Sequence, residues 1–211
     1  MDVEEWEPYY KEILLDFGYS REEDEATAVR LDALLAGRRC TDAELDKMLR
    51  GRWVTVAGNA PSLESELDQV KGVVIAADEA TSVLRAKGVR PQILVTDLDG
   101  KVEDQVAANA DGCLAVIHAH GDNGPAIEAW APRFSGPVVG TTQSRPVGGL
   151  RNFGGFTDGD RAVLLAAHFG ASKITLVGFD FENPSPKDDR ELKKRKLDWA
   201  YMLVTTVMDL E

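Results

Sequence analysis

The chain has 211 residues, 44% of them hydrophobic and 28% charged, a composition that excludes a wholly disordered, collagenous or fibrous protein. Its 24 lysines and arginines against 36 aspartates and glutamates leave a formal charge of −12, which opposes phosphate backbones and anionic lipid. Neither nucleic acid nor a membrane surface is therefore an expected partner, although a divalent cation could still mediate between acidic side chains and a nucleotide.

The first 50 residues contain no strand-like run. Their start, MDVEEWEPYY, lacks the apolar core of a signal peptide. Trp6, Tyr9, Ile13, Leu14 and Phe17 recur at helical spacing. Ser20 and Glu23 form an S-x-x-E capping box ahead of a second apolar series ending at Gly37, and Thr41 and Glu44 repeat the box for a short third helix. Residues 1–50 are read as a helical segment packed on the core, with no chemistry assigned to it.

From Trp53 the pattern changes to six short apolar runs, at 53–57, 73–77, 93–96, 114–117, 137–140 and 174–178. They lack polar alternation, as strands covered on both faces do. Helical stretches are expected at 62–70, 79–87, 102–110, 125–131 and 159–169, and a charged terminal helix at about 189–210. The expected fold is α/β: a doubly wound, mainly parallel sheet of about six strands, with an N-terminal helical segment and a long C-terminal helix. Residues 51–211 form its catalytic domain. Cys40 and Cys113 have no paired spacing and no apolar run is long enough to span a bilayer, so a reducing, cytoplasmic setting is expected.

Ligands of such sheets bind outside the carboxyl ends of the strands. The residues there are Gly58-Asn59-Ala60-Pro61-Ser62 after the first run, Asp78 after the second, and Asp97 and Asp99 in TDLDG after the third. His118, His120 and Asp122 follow in HAHGDN after the fourth, Thr141 to Gln143 after the fifth, and Asp180 in GFDF after the sixth. Asp97 and Asp99 are two apart, so an extended segment points both to one side. If Asp78 and Asp122 join them, like charges crowd together, and a hard cation relieves the conflict. All-oxygen ligands suit Mg²⁺, which binds through carboxylates together with substrate phosphates. Asp78, Asp97, Asp99 and Asp122 are thus the candidate metal ligands.

The chain has neither G-x-x-x-x-G-K-[ST] nor G-x-G-x-x-G. The candidates for phosphate contact are instead Gly58, Asn59 and Ser62 at a strand-to-helix turn, Thr157 at a helix start, and Arg145 and Arg151. The two arginines lie in a Gly/Pro-rich stretch at 143–155 whose length fits a lid. His168 is read as structural, and the basic run Lys193 to Lys196 as a solvated face.

Taken in order, GNAPSL, TDLDG, HAHGDN, GGFTDGDRA and GFDF resemble the archaeal MptE-type 6-hydroxymethyl-7,8-dihydropterin pyrophosphokinases over most of the chain. A more distant likeness is to thiamin pyrophosphokinases, whose paired aspartates are similar to Asp97 and Asp99. Gly100 stands where those enzymes usually have serine. The resemblance implies transfer of pyrophosphate from ATP to the pterin hydroxymethyl group with release of AMP, in tetrahydromethanopterin or folate-type synthesis. It implies Mg²⁺ as cofactor and ATP and a hydroxymethyl-pterin as partners. Asp97, Asp99 and Asp122 are then candidate catalytic bases, and Asp158, Asp180 and His120 candidates for reading the pterin ring. A homodimer is the expected assembly. Thiamin pyrophosphokinase, a nucleotide-sugar glycosyltransferase and a non-catalytic nucleotide-binding module stay open as alternatives.

Overall fold

The computed structural model describes residues 1–183 and 189–210. Three helices open the chain: α1 (Val3–Phe17), α2 (Arg21–Leu34) and α3 (Asp42–Leu49). Asp2 and Glu5 close a reciprocal capping box on α1, as Thr41 and Glu44 do on α3. On α2 only half of the box forms. The Ser20 hydroxyl accepts the Glu23 N–H at 3.3 Å, but it donates to Glu22 at 3.0 Å, and the Glu23 carboxylate does not return to the cap.

Six strands follow: β1 (Trp53–Ala57), β2 (Val73–Ala77), β3 (Ile93–Thr96), β4 (Leu114–Ala119), β5 (Val138–Thr142) and β6 (Lys173–Val177). The helices among and after them are α4 (Ala80–Ala86), α5 (Val102–Ala110), α6 (Gly124–Trp130), α7 (Asp158–His168) and α8 (Arg190–Thr205). All pairings are parallel, in the order β5-β4-β3-β2-β1-β6. The chain steps outward from β1 to β5, and α7 then carries it back across the sheet to the far side of β1.

Alternate strand residues serve opposite faces. Val54, Val56, Ile75, Val95 and Val116 pack against α3, α7 and α8 through Leu45, Leu49, Val163, Leu165 and Val204. Leu94, Ala115 and Ile117 pack against α2 and α6 through Leu31, Leu35 and Ile127. Both faces are covered, which is why the strands read as unbroken apolar runs. Trp6, Tyr10 and Ile13 of α1 are fully buried against Leu164 and Leu203. Each such side chain contributes roughly 1.5–3 kcal/mol by leaving water. No helix among the described residues is long and apolar enough to cross a membrane.

Two local expectations are corrected. The stretch after β1 is a 3-10 helix, Leu63–Gln69, and Ser62 does not cap it with its side chain. The Ser62 carbonyl takes both the Ser65 N–H at 3.0 Å and the Ser65 hydroxyl at 2.8 Å, an i to i+3 pattern that tightens the turn. The 143–155 stretch is not a free lid. Arg151 lies along the outer edge of β5, donating its N–H to Gly140 O and accepting the Thr142 N–H, each at 2.9 Å. The Gln143 carbonyl accepts from the Trp6 indole at 2.7 Å and from Asn152 at 3.1 Å. Its polar backbone is therefore satisfied by buried partners and held on the core.

The ends of β1 and β6 nearly touch: a Cβ on Gly58 would lie 2.6 Å from the Gly178 carbonyl oxygen. Gly58→Ala is expected to push the two strand ends apart and destabilise the chain by roughly 1–3 kcal/mol. Thermal unfolding checks this, and an unshifted midpoint would show that the junction yields freely.

Candidate active site

The site grows from the carboxyl ends of β2 and β3 and the start of α7. Immediately after β2, Asp78 takes φ 45°, and two residues after β3 ends, Leu98 takes φ 70°. Positive φ is rare for residues with a Cβ, and for a branched side chain such as leucine it costs energy that the surroundings must hold in place. The Thr96 hydroxyl lies 2.8 Å from Asp78 Oδ1 and accepts the Leu98 N–H, also at 2.8 Å. Gln105 of α5 donates to Asp78 Oδ1 at 2.8 Å and to the Asp99 carbonyl at 2.9 Å. A buried polar web thus fixes both turns.

These turns, with the first residue of α7, bring carboxylate oxygens of Asp78, Asp97 and Asp158 within 4.8 Å of one another. Burial, then the charges of Asp158 and Asp97, push the Asp78 carboxyl up to about 8. Burial and the Asp97 charge push Asp158 up to about 7. Burial acts on Asp97 in the same direction. There it is outweighed by a hydrogen bond from His120 and by the charges of Arg161, His120 and Lys196, so Asp97 is held below the usual carboxylate range. His120 Nδ1 accepts the Asp122 N–H at 3.3 Å, which leaves the proton on Nε2, 3.4 Å from Asp97 Oδ2. Arg161, one turn along α7, pairs with Asp158 at 3.1 Å.

Beside Asp97 opens a cleft that is continuous with solvent. Asp97, His120 and Arg161 border it from the sheet edge and α7, Tyr19 from the connection between α1 and α2, Glu23 from α2, and Lys196 from α8. Asp24 anchors the N-terminal wall. Buried itself, it accepts the Gly121 N–H and the Tyr10 hydroxyl, each at 2.6 Å, and Gln143 at 2.9 Å.

The other residues singled out in the sequence fall as follows. The left-handed turn at Leu98 breaks the alternation that would align Asp99 with Asp97. Asp99 is exposed, accepts its neighbour Gly100 N–H, and stays outside the carboxylate trio. Asp122 is exposed and borders the cleft. Asn59 donates to Glu79 at 2.7 Å. Thr157 caps α7, its N–H and hydroxyl donating to Asp160. Arg145 is exposed, and Arg151 turns to Asp42 of α3 at 2.7 Å. Asp180 accepts the Asn183 side-chain amide and the N–H groups of Asn183 and Glu182, each at 2.9 Å, which holds its carboxyl low. Arg161 and Lys196 were missed as site cations, and Tyr19, Glu23 and Asp24 as site residues. Only Arg161 carried a local signal, lying three residues after Asp158 on the same helix face.

Residues 38–185 match the family model described as 6-hydroxymethylpterin diphosphokinase MptE-like. Three curated proteins named 6-hydroxymethyl-7,8-dihydropterin pyrophosphokinase are similar to this chain. That of Methanothermobacter thermautotrophicus is 44% identical, over 97% of this chain and 94% of its own. That of Methanocaldococcus jannaschii is 35% identical, over 99% and 97%. That of Pyrococcus furiosus is 43% identical, over 86% and 79%. A solved MAf glycosyltransferase from Magnetospirillum magneticum AMB-1 superposes on 75% of this chain and 29% of its own, at TM-score 0.45 and 19% identity.

Asp78 and Asp158 bind their protons more tightly folded than unfolded, so the folded chain carries more protons between about pH 4 and about 8. Without metal, their contribution is fully favourable below the unfolded carboxylate range and is lost as pH rises toward about 8. The amide oxygen of Asp78→Asn can still accept from Thr96 and Gln105. That variant is expected to flatten the decline and to melt above the parent near the top of this range. Denaturant titrations across it check the slope, and an unchanged slope would mean that Asp78 holds its proton no more tightly folded than unfolded.

Proposed function

The chain belongs to the MptE-like family of 6-hydroxymethylpterin diphosphokinases, and we propose that it acts as a 6-hydroxymethyl-7,8-dihydropterin pyrophosphokinase that uses Mg²⁺-ATP. One observation supports this most directly: Asp97 belongs both to the carboxylate trio and to the border of the cleft. A donor triphosphate held at the trio and an acceptor alcohol held in the cleft would meet at that side chain.

The donor set fits a hard divalent cation. Three carboxylates within 4.8 Å, two of them pushed up by burial and then by neighbouring carboxylate charge, offer oxygen only and gain from added positive charge. Asp78, Asp97 and Asp158 would hold Mg²⁺, with Asp158 in the place that sequence spacing gave to Asp99 and Asp122. When bound, the cation supplies charge neutralisation at the phosphate oxygens.

In the reaction, the hydroxymethyl oxygen attacks the β-phosphorus of ATP. A new P–O bond forms, the bond from the β-phosphorus to the αβ-bridging oxygen breaks, and that oxygen leaves with AMP. The alcohol gives up its proton to the Asp97 carboxylate, from which it passes to solvent. The chain's task is to align the two oxygens and offset charge rather than to form a covalent intermediate. Asp97, kept ionised by its hydrogen bond from His120 and the charges of Arg161 and Lys196, accepts the hydrogen bond of the alcohol and orients its lone pair. His120, protonated on Nε2, acts as a donor there and not as a base. Arg161 and Lys196 offset the negative charge that the triphosphate brings.

Asp97→Asn is expected to lower kcat on the order of 10²–10⁴-fold, the range for loss of a positioned proton acceptor. Release of AMP is to be followed with the dihydropterin and with thiamin as alternative alcohols. Turnover of thiamin alone would replace the acceptor in this reading. Tight ATP binding with no AMP from either alcohol would reduce the chain to a nucleotide-binding module.

A further inference from the structure

The family match begins at residue 38, so α1 and α2 lie outside it. The pyrophosphokinases similar to this chain align with it over 86–99% of its length. Tyr19 and Ser20, between these helices, and Glu23 and Asp24, at the start of α2, form one border of the cleft. The trio, the turns of Asp78 and Leu98 and the start of α7 all lie within residues 38–185, and the Tyr19 to Asp24 border precedes them.

Within that wall Glu23 stands apart. The corresponding carboxylates of α1 and α3, Glu5 and Glu44, return to their caps at 2.9 and 2.7 Å. Glu23 has the sequence to do the same and does not. Its side chain runs along Gly121, where a Cβ would come within 3.0 Å of Glu23 Cβ and 3.5 Å of its carboxylate. It is exposed, borders the cleft, and no described residue donates a hydrogen bond or an ion pair to its oxygens. Asp24, the next residue, is spent on Gly121, Tyr10 and Gln143 and so fixes the turn that carries Glu23. Flanking the cleft are the rings of Tyr19 and Phe156, centroids 6.4 Å apart. Arg161, only 7% exposed, lines it with a buried Nε that has no partner.

We propose that Glu23 selects the acceptor. Its carboxylate takes the adjacent ring N–H and amino N–H donors of an aminopyrimidinone, while the ring system packs against Tyr19 and Phe156 and its hydroxymethyl arm reaches Asp97. A carboxylate matches two parallel N–H donors, the pairing that gives charged hydrogen bonds both strength and direction. The assignment rests on the pyrophosphokinase reading. It places acceptor choice on α2, ahead of residues 38–185 of the family match, and leaves the carboxylate trio within them.

Steady-state kinetics of Glu23→Gln test it, with Asp122→Asn as the competing carboxylate on the same cleft. Loss of a charged hydrogen-bond pair raises the acceptor KM by roughly 10- to 100-fold, with ATP KM within about twofold of the parent. A 2-desamino analogue of the acceptor is expected to be a poor substrate for the parent and to suffer no further loss in Glu23→Gln. A merely structural role for Glu23 would not produce that non-additivity. An unchanged acceptor KM, a rise in ATP KM instead, or the loss appearing in Asp122→Asn alone would overturn the proposal. If the parent releases no AMP, the pyrophosphokinase reading fails separately. Quenching of pterin fluorescence on binding then decides: weaker binding in Glu23→Gln upholds the role of Glu23, and equal binding ends it.

Discussion

Three carboxylates brought to one sheet edge repel one another, and most of the local structure answers that repulsion. Asp97 is kept ionised by a histidine proton and two cations, while Asp78 and Asp158 are pushed toward their neutral forms. The Thr96 hydroxyl and the Gln105 amide hold Asp78 in place, and Arg161 holds Asp158. Two backbone turns at positive φ are kept in the same web. Such an arrangement stores unfavourable energy in the protein alone and releases it when positive charge arrives.

The topology distributes the two halves of the reaction. Along the carboxyl edge the strand ends run from Gln143 and His120, through Asp97 and Asp78, to Gly58 and Asp180. The trio sits at the middle, beneath the start of α7. The cleft opens toward the β4 and β5 side, and its outer wall comes from helices that precede the sheet in sequence.

The strands were legible because burial on both faces removes polar residues from them, and the doubly wound order followed from alternation with helices. Asp78 and Asp97 were legible because they end strands. Asp99 misled, since its equivalence to Asp97 assumed extended backbone, and the left-handed Leu98 between them turns it outward. Asp158 was noticed as a ring-binding candidate at a helix start, but its neighbours lie some sixty to eighty positions earlier and no local pattern joins them. The N-terminal helices showed their apolar faces plainly. Their chemistry stayed hidden because Asp24 meets its partner Gly121 across 97 positions. A capping box that fails to close, as at Glu23, has the same letters as one that closes.

Strand order also bears on how the chain is made. β1 to β5 pair with neighbours that leave the ribosome in succession, whereas β6 emerges more than a hundred residues after the β1 edge it must cover. Until then the Val54 and Val56 segment offers unpaired backbone on that side, the kind of edge that recruits foreign strands. Closure of the sheet thus waits on the C-terminal portion of the chain, and nascent chains halted before Lys173 would be the ones most exposed to aggregation.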